Sequence, residues 1–194
     1  MVVLFSTMEE IAKGAEAVIY LDNQKIIKDR IKKNYRLDFI DEKLRLQRTK
    51  SEAKILTVLG RAGLLVPNVI SAEKNILNLE FIAGKKVRDI LKPELCEQIG
   101  KTVRTMHSID IIHGDLTTSN MLFHEGKIYF IDFGLGNFSK KIEDKAVDLH
   151  LFKECLVSAH NKIWMKCWNI FTKAYADKDV LARLEIVEKR GKYR

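Results

Sequence analysis

The chain has 194 residues, of which 46% are hydrophobic and 31% charged, and its 34 lysines and arginines outnumber 26 aspartates and glutamates. A chain of this length buries enough apolar surface to hold a core without disulfides or metals. With 10 glycines and 2 prolines, it is not collagen-like, low-complexity or disordered. Its 3 cysteines are too far apart for a disulfide framework or a zinc finger, which favours a reducing, cytoplasmic environment.

The sequence contains no segment that predicts secretion or a membrane. Residues 1–10 have no basic start and no small-residue cleavage site, so we expect no signal peptide. The longest apolar stretch, 55–72, is interrupted by Arg61, Gly63 and Pro67, whereas a membrane helix needs about 20 largely uninterrupted apolar residues. We therefore expect no contact with a membrane.

The net charge of +8 is concentrated in two zones. Residues 25–54 contain eleven basic and five acidic residues, and residues 183–194 contain five and two. Two interpretations stay open: a polyanionic partner such as nucleic acid or nucleotide phosphate, or a solvated helix face, which we favour for residues 41–54 alone. The tail after Glu188 has no acidic residue, and Tyr193 offers a surface for base stacking.

In chain order, the first lobe is expected to be a small antiparallel sheet with one long helix. Apolar runs predict strands at 16–21, 25–28, 69–71 and 76–82, and apolar residues at helical spacing predict a helix over 37–59. Gly60 and Gly63 should end this helix, because glycine adopts left-handed backbone conformations easily. Residues 83–85 are the expected hinge to a second lobe.

The second lobe is expected to be mostly helical. Pro93 opens a helix, a polar loop follows at 113–120, and short strands follow at 121–123 and 128–131. The remaining helices are predicted at 145–160, 163–175 and 180–189. The pattern predicts an α+β protein that forms a single domain over 1–194, with a sheet-rich lobe at 1–83 and a helical lobe at 84–194.

Two motifs in the second lobe carry most of the chemical information. Residues His113–Asn120 have the form H-x-D-x-x-x-x-N, and Asp132 begins a D-F-G triplet. Phosphoryl transfer requires a carboxylate that orients the attacking hydroxyl, together with an amide and a second carboxylate that hold Mg²⁺. We therefore predict Asp115 as the orienting base, and Asn120 and Asp132 as the metal ligands. An Asp or Asn that merely caps its own turn is the simpler interpretation of each residue alone, but not of the set.

Three upstream features supply what an ATP site still needs. A loop before the first strand pair is suited to lay backbone N–H groups over phosphates. The residues of this loop are Gly14, Ala15, Glu16 and Ala17. Lys28 closes the strand 25–28, where its ammonium would reach the α- and β-phosphates, and Glu52 on the next helix would hold that ammonium. Surface charge is the simpler interpretation of either residue alone, but the downstream motifs favour a shared site.

Eight stretches spread over nearly the whole chain carry a family resemblance. They are Gly14–Ala17, Ile27–Arg30, Lys33–Arg36, Arg48–Thr49, Glu52–Ala53, His113–Leu122, Ile131–Leu135 and Glu143–Asp148. Together they resemble the small atypical protein kinase of the KEOPS (EKC) tRNA-modification complex, called PRPK in animals and related to the RIO kinases. The stretch His113–Leu122 is the most specific part.

The resemblance implies a minimal bilobal protein-kinase-like fold that hydrolyses ATP and phosphorylates Ser/Thr, including itself. It implies support for threonylcarbamoyladenosine formation at position 37 of tRNAs that read codons beginning with A. The implied partners are the complex's sugar-kinase-like, metal-binding subunit, a small subunit on the other lobe, and tRNA on the basic tail Lys189–Arg194. The positions that match the family's functional residues are Lys28, Glu52, Asp115, Asn120 and Asp132.

The sequence also departs from ordinary protein kinases. The phosphate loop keeps Gly14 but lacks G-x-G-x-x-G, and Glu16 introduces an acidic side chain there. Gly114 stands where ordinary kinases have an arginine that responds to a phosphorylated activation loop. Only residues 135–143 separate the D-F-G triplet from the next helical pattern, and no A-P-E follows. We therefore expect partners, rather than a phosphorylated loop, to control activity.

Several other residues are expected to be structural. Asp148, at the start of a helix, should hydrogen-bond the backbone of the 113–120 loop. Trp164 and Trp168 should form one face of a core helix, and Cys155 and Cys167 should be buried thiols. The histidines expected to have structural roles are His107, His124, His150 and His160.

Two other functions stay open at this point. Aminoglycoside and choline kinases share the H-G-D-x-x-x-x-N loop, but residues 149–194 are too few for their added substrate pocket. A scaffold or tRNA-binding subunit with a vestigial nucleotide site is the alternative of a different class. The sequence leaves the phosphoacceptor undetermined, as well as whether hydrolysis or transfer is the biological event and whether the chain is free-standing or half of a fusion.

Overall fold

The structure is a computed structural model that describes residues 8–191. Five strands in the first part of the chain form one antiparallel sheet of order β1-β2-β3-β5-β4. The strands are β1 (Glu9–Lys13), β2 (Ala17–Asp22), β3 (Lys25–Arg30), β4 (Val69–Glu73) and β5 (Ile76–Glu80). A tight turn joins β2 to β3, with Asn23 and Gln24 both at positive φ.

The edge strand β1 is missing from the sequence prediction. All five of its residues are exposed, so it has no buried face and therefore no alternation of apolar and polar residues. The loop at residues 14–17 precedes the β2–β3 pair as predicted, but it also follows β1, so that it lies at the tip of a β1–β2 hairpin. The prediction that β3 ends at Lys28 is also wrong, because the strand continues to Arg30.

One long helix, α1 (Asp38–Arg61), packs on the sheet as expected. Its buried apolar residues are Ile55, Leu56 and Leu59, at the spacing that places them on one face. The helix continues through Gly60 to Arg61, two residues beyond the predicted end, and Gly63 is the glycine that ends it. Gly63 follows with a φ of +80°, and the amide of Leu64 donates a hydrogen bond back to the Leu59 carbonyl.

The second part of the chain is mainly helical. Its helices are α2 (Val87–Ile90), α3 (Leu95–Ser108), α4 (Ile142–Ala159), α5 (Trp164–Tyr175) and α6 (Lys178–Gly191). Its strands are β6 (Lys85–Lys86), β7 (Ile111–Ile112), β8 (Met121–His124), β9 (Lys127–Phe130) and β10 (Asn137–Phe138). They form a three-stranded sheet of order β6-β8-β9 and a β10-β7 pair.

Helices α3, α4 and α5 form the core of this part. At Gly100 on α3, a Cβ atom would lie 2.6 Å from the Phe171 carbonyl oxygen on α5, so glycine permits this close approach. Helix α4 begins at Ile142 rather than at 145, because Glu143 and Asp144 in its first turn are favourable at a helix N-terminus. The α+β class is confirmed. None of the described helices is long and apolar enough to cross a membrane.

Candidate active site

A buried carboxylate holds the backbone of the loop between β7 and β8. Asp148 on α4 accepts hydrogen bonds from the backbone amides of His113, at 2.8 Å, and Gly114, at 2.9 Å. The same carboxylate lies 3.1 Å from His107 Nε2, and His107 Nδ1 lies 2.8 Å from the Tyr175 hydroxyl. The predicted bracing role of Asp148 is confirmed, but the residue lies inside α4 rather than at its start.

Gly114 is fixed by two constraints at once. Its φ is +80°, and a Cβ atom would lie 2.3 Å from the carbonyl oxygen of Leu135. An arginine, or any residue with a side chain, would clash with the backbone that follows the D-F-G triplet. The arginine of ordinary kinases is therefore absent for a geometric reason, and the two loops of the site touch through backbone atoms.

Asp115 and Asn120 lie at opposite ends of this loop and contact each other. Asn120 Nδ2 donates hydrogen bonds to Asp115 Oδ2, at 2.8 Å, and to the Asp115 carbonyl oxygen, at 2.9 Å. Because both bonds come from the nitrogen, Oδ1 is the atom of this amide that a cation would bind. The amide of Ile131 donates to the Asn120 carbonyl oxygen at 3.0 Å, which brings the D-F-G triplet back beside the loop.

Asp132 connects this loop to the five-stranded sheet. Its Oδ1 accepts hydrogen bonds from Lys28 Nζ, at 2.6 Å, and from the Gly134 amide, at 3.2 Å. Burial raises the pKa of Asp132, but the Lys28 ammonium and these hydrogen bonds outweigh it, so the pKa lies below its usual value. The backbone of Asp132 is at a φ of 60°, a conformation that Asp tolerates better than most residues.

Lys28 and Glu52 form the predicted ion pair. Lys28 Nζ lies 2.8 Å from Glu52 Oε1, and both side chains are buried. Arg30 joins this pair, with its Nη2 2.5 Å from Glu52 Oε2. Arg30 is not among the predicted site residues, although its position two residues after Lys28 in a strand places both side chains on one face.

The loop at the tip of the β1–β2 hairpin lies above this ion-pair cluster. The amide of Gly14 donates to the Ala17 carbonyl oxygen at 2.9 Å, and Lys33 Nζ donates to the Ala15 carbonyl oxygen. The Glu16 carboxylate forms an ion pair with Arg48 on α1. The acidic side chain expected near the phosphates is thus neutralised by a helix residue.

Two adjoining cavities open between the sheet and the loops. The first, of about 350 Å³, is mainly apolar and large enough for a ligand the size of a nucleobase. Its apolar lining includes Ile11, Ile19, Ile26, Leu79, Leu122 and Ile131. The second, of about 370 Å³, lies under the hairpin loop. Its charged lining includes Lys28, Arg30, Arg48, Asp115 and Asp132.

The donor atoms in the cleft suit a magnesium ion that arrives with a ligand. Within residues 8–191, no group of three or more His, Cys, Asp or Glu side chains converges as a complete metal site. The oxygens of Asn120 and Asp132 are hard donors, which favour Mg²⁺ over softer metals. Mg²⁺ usually takes one or two carboxylates and completes its shell with substrate phosphates and water, so this pair fits it.

The residues expected to be structural are mostly so. His107 is buried in the contacts with Asp148 described above, and His160 Nε2 lies 2.9 Å from the Thr118 hydroxyl. Cys167 is buried as predicted, whereas Cys155 is only half-buried and contacts Thr118. Trp164 and Trp168 are partly buried and pack against the core.

The fold and the cleft together define a protein-kinase-like protein. The Rio2 kinase–ADP/Mg²⁺–phosphoaspartate complex of Chaetomium thermophilum superposes with a TM-score of 0.68 and 14% identity, over 94% of this chain and 70% of that chain. At this identity the likeness shows the fold alone. The expected kinase-like fold is confirmed.

Sequence comparisons give the family. The RIO domain family matches residues 17–136. The KEOPS complex subunit Bud32 of Pyrococcus abyssi is 38% identical over 96% of this chain and 97% of its own length. A probable serine/threonine-protein kinase BUD32 homolog of Archaeoglobus fulgidus is 35% identical over 93% and 94%. The chain therefore belongs to the RIO domain family and, within it, to the Bud32 kinases.

A second kind of relative is longer. The probable bifunctional tRNA threonylcarbamoyladenosine biosynthesis protein of Methanosarcina acetivorans is 39% identical over 95% of this chain. The chain spans 36% of the length of that protein.

Proposed function

We propose that the chain is an ATP- and Mg²⁺-dependent atypical serine/threonine kinase and ATPase that supports threonylcarbamoyladenosine modification of tRNA within a KEOPS complex. The observation that carries the proposal is the position of Lys28. Its Nζ lies 2.8 Å from Glu52 on α1 and 2.6 Å from Asp132 of the D-F-G triplet. Protein kinases hold ATP with a strand lysine that pairs with a helix glutamate and with a D-F-G aspartate that binds Mg²⁺, and Lys28, Glu52 and Asp132 correspond to these three groups.

The nucleotide would lie between the lobes 1–83 and 84–194. The apolar cavity would take the adenine, and the charged cavity under residues 14–17 would take the triphosphate. The Lys28 ammonium would move from Asp132 to the α- and β-phosphates, because the Asp132 carboxylate and the phosphates are all anionic and compete for it. Glu52 would then keep the ammonium oriented.

Asn120 and Asp132 would hold the magnesium ion through their side-chain oxygens. When bound, Mg²⁺ supplies positive charge that neutralises the phosphate oxygens. Asp115 would orient the attacking hydroxyl. Its carboxylate is fixed by Asn120 Nδ2, and its backbone belongs to a loop that Asp148 holds in place.

The segment after the D-F-G triplet supports control by partners. It runs over residues 135–141 before α4 begins, and its strand β10 is paired with β7. A segment this short offers little room for peptide docking or for a phosphorylation switch. We infer that the KEOPS subunits, including the sugar-kinase-like subunit and a small subunit, control activity instead.

Contact with tRNA would involve the basic end of the chain. Lys189 and Arg190 lie in the last turn of α6, and Arg190 forms an ion pair with Glu143 at the start of α4. The rest of the proposed tail, residues 192–194, lies outside the described residues. The proposal places the protein in the cytoplasm without contact with a membrane.

ATP turnover by the purified chain tests the proposal, with and without tRNA and the other KEOPS subunits. We expect Asp132→Ala to abolish turnover while its circular dichroism spectrum and unfolding transition stay those of a folded protein. Retained turnover in a clean preparation of Asp132→Ala would refute the proposed site. A parent chain that binds ATP without turnover, together with complex assembly by Asp115→Ala, would instead favour the scaffold function.

A further inference from the structure

Glu52 is held by two cations rather than one. Lys28 and Arg30 alternate with Asp29 along β3, so both side chains lie on the face of the sheet that α1 covers. Lys28 Nζ donates a hydrogen bond to Glu52 Oε1 at 2.8 Å, and Arg30 Nη2 donates one to Oε2 at 2.5 Å. Each oxygen of the carboxylate thus has its own cation.

The two cations are committed to Glu52 to different degrees. Lys28 also contacts Asp132, whose side chain is 50% exposed. Arg30 is only 3% exposed, and within the described residues Glu52 is the carboxylate with which it forms an ion pair. A buried carboxylate is costly when it loses its cation, and Glu52 is only 1% exposed. Arg30 therefore neutralises Glu52 in a way that does not depend on Lys28.

We propose that Arg30 is a positioning residue that holds Glu52, and with it α1, in the Lys28-pairing position. This role deepens the proposed function. The anchoring of α1 does not depend on that function, whereas the effect on nucleotide binding rests on it. Lys28, Arg30 and Glu52 together carry a net charge of +1, whereas without Arg30 the Lys28–Glu52 pair is neutral. Arg30 thereby leaves the charge of Lys28 available to the phosphates of a nucleotide.

The contact between Arg30 and Glu52 bears on how the Lys28–Glu52 pair is regulated. Lys28 and Arg30, which pair with Glu52, both belong to strand β3, so within the described residues no ion partner of Glu52 comes from residues 135–141. The pair is therefore assembled in the protein alone, and nothing in it waits for a phosphorylated loop.

Hydrogen exchange of the α1 amides, without nucleotide, tests the anchoring role. Methionine keeps an unbranched side chain of roughly similar volume and removes the charge, so Lys28→Met and Arg30→Met are matched variants. In Lys28→Met, Glu52 keeps its ion pair with Arg30, and we expect the α1 amides to exchange near the parent rate. In Arg30→Met, Lys28 stays divided between two carboxylates, and we expect α1 amides to exchange roughly tenfold faster or more.

The conservative variant Arg30→Lys keeps the experiment informative if Arg30→Met does not fold. It retains the charge, and we expect it to restore most of the α1 protection. The proposal is overturned if Lys28→Met exchanges as fast as Arg30→Met, or if Arg30→Lys and Arg30→Met fold with parent-like exchange.

ATP affinity provides a second readout, measured by calorimetric titration. Removing one charge beside the phosphates should weaken ATP binding by Arg30→Met about tenfold, and Arg30→Lys should recover most of the loss. Arg45→Met is the matched control, because Arg45 also pairs with a buried carboxylate of α1, Asp41, but does not line the charged cavity. Equal affinities of Arg30→Met and Arg45→Met would refute the electrostatic role. If the parent chain binds no ATP, the proposed function fails, while the exchange result still decides the role of Arg30.

Discussion

Gly114 and Gly126 share a backbone conformation but differ in their surroundings, which makes them a matched pair. Their φ values are +80° and +78°. A Cβ atom at Gly114 would lie 2.3 Å from the Leu135 carbonyl oxygen, whereas one at Gly126 would meet no atom within 4 Å. Gly126→Ala therefore carries only the cost of placing a side chain at positive φ, about 1–2 kcal/mol. Gly114→Ala carries the same cost and a collision with backbone in addition.

The collision requires the loop between β7 and β8 to separate from the segment after the D-F-G triplet. Overpacking of a well-packed site typically costs about 1–3 kcal/mol, so Gly114→Ala should lower the free energy of unfolding by about 2–5 kcal/mol in total. Urea denaturation of the parent and both variants measures the difference, and ATP turnover should fall in Gly114→Ala alone. If the two variants lose the same stability, the close contact between Gly114 and Leu135 is not a feature of the folded protein.

Three further predictions concern the core beneath the site. Asp148→Ala leaves two backbone amides and the His107 imidazole without their acceptor, so urea denaturation should show a loss of about 3–5 kcal/mol; a loss below about 1 kcal/mol would contradict the bracing role. Burial lowers the pKa of His113 despite the opposing effect of Asp148. As the pH drops, His113 therefore becomes protonated in the unfolded chain before it does in the folded protein, and the free energy of unfolding should fall below about pH 6.5. In a His113→Phe variant, the free energy of unfolding should fall less steeply between about pH 7.5 and 5.5, and an unchanged slope would contradict the assignment. The lowered pKa of Asp132 acts at lower pH, because the contribution of Asp132 to stability is lost only below about pH 4. Gly100→Ala should lower the unfolding temperature because its Cβ would lie 2.6 Å from the Phe171 carbonyl oxygen, and an unchanged transition would show that α3 and α5 can separate without cost.

The sequence predicted most of this fold because its signals are local. Helix α1 shows apolar residues at helical spacing and glycines at its end, and both are visible without knowledge of the partner sheet. Strand β1 could not be predicted in this way. It is fully exposed and is held by backbone hydrogen bonds to β2, which leave no pattern in the side chains.

The site residues were predicted from motif spacing, and the structure brings Lys28, Glu52 and Asp132 together. What spacing could not show was the number of contacts that each residue makes. Arg30 shares Glu52 with Lys28, and this depends on how α1 packs on the five-stranded sheet. Tyr175 reaches His107 from a helix far along the chain, and no local pattern relates the two.

The replacement of the kinase arginine by Gly114 was visible in the sequence, but its reason was not. Only the position of the Leu135 carbonyl shows that a side chain cannot fit there. This contact joins residues separated by the whole β8–β9 hairpin, so it follows from tertiary structure rather than from the motif.

The most direct test of the central claim is the affinity for ATP, measured with and without Mg²⁺, in the parent and in Asp132→Ala. Asp132 forms an ion pair with Lys28 at 2.6 Å, and its negative charge repels phosphate. Without Mg²⁺, Asp132→Ala should therefore bind ATP at least as tightly as the parent. With Mg²⁺ the order should reverse, because the variant lacks a metal ligand. If Mg²⁺ strengthens ATP binding equally in both proteins, Asp132 does not hold the metal, and the proposed ATP–magnesium site is wrong.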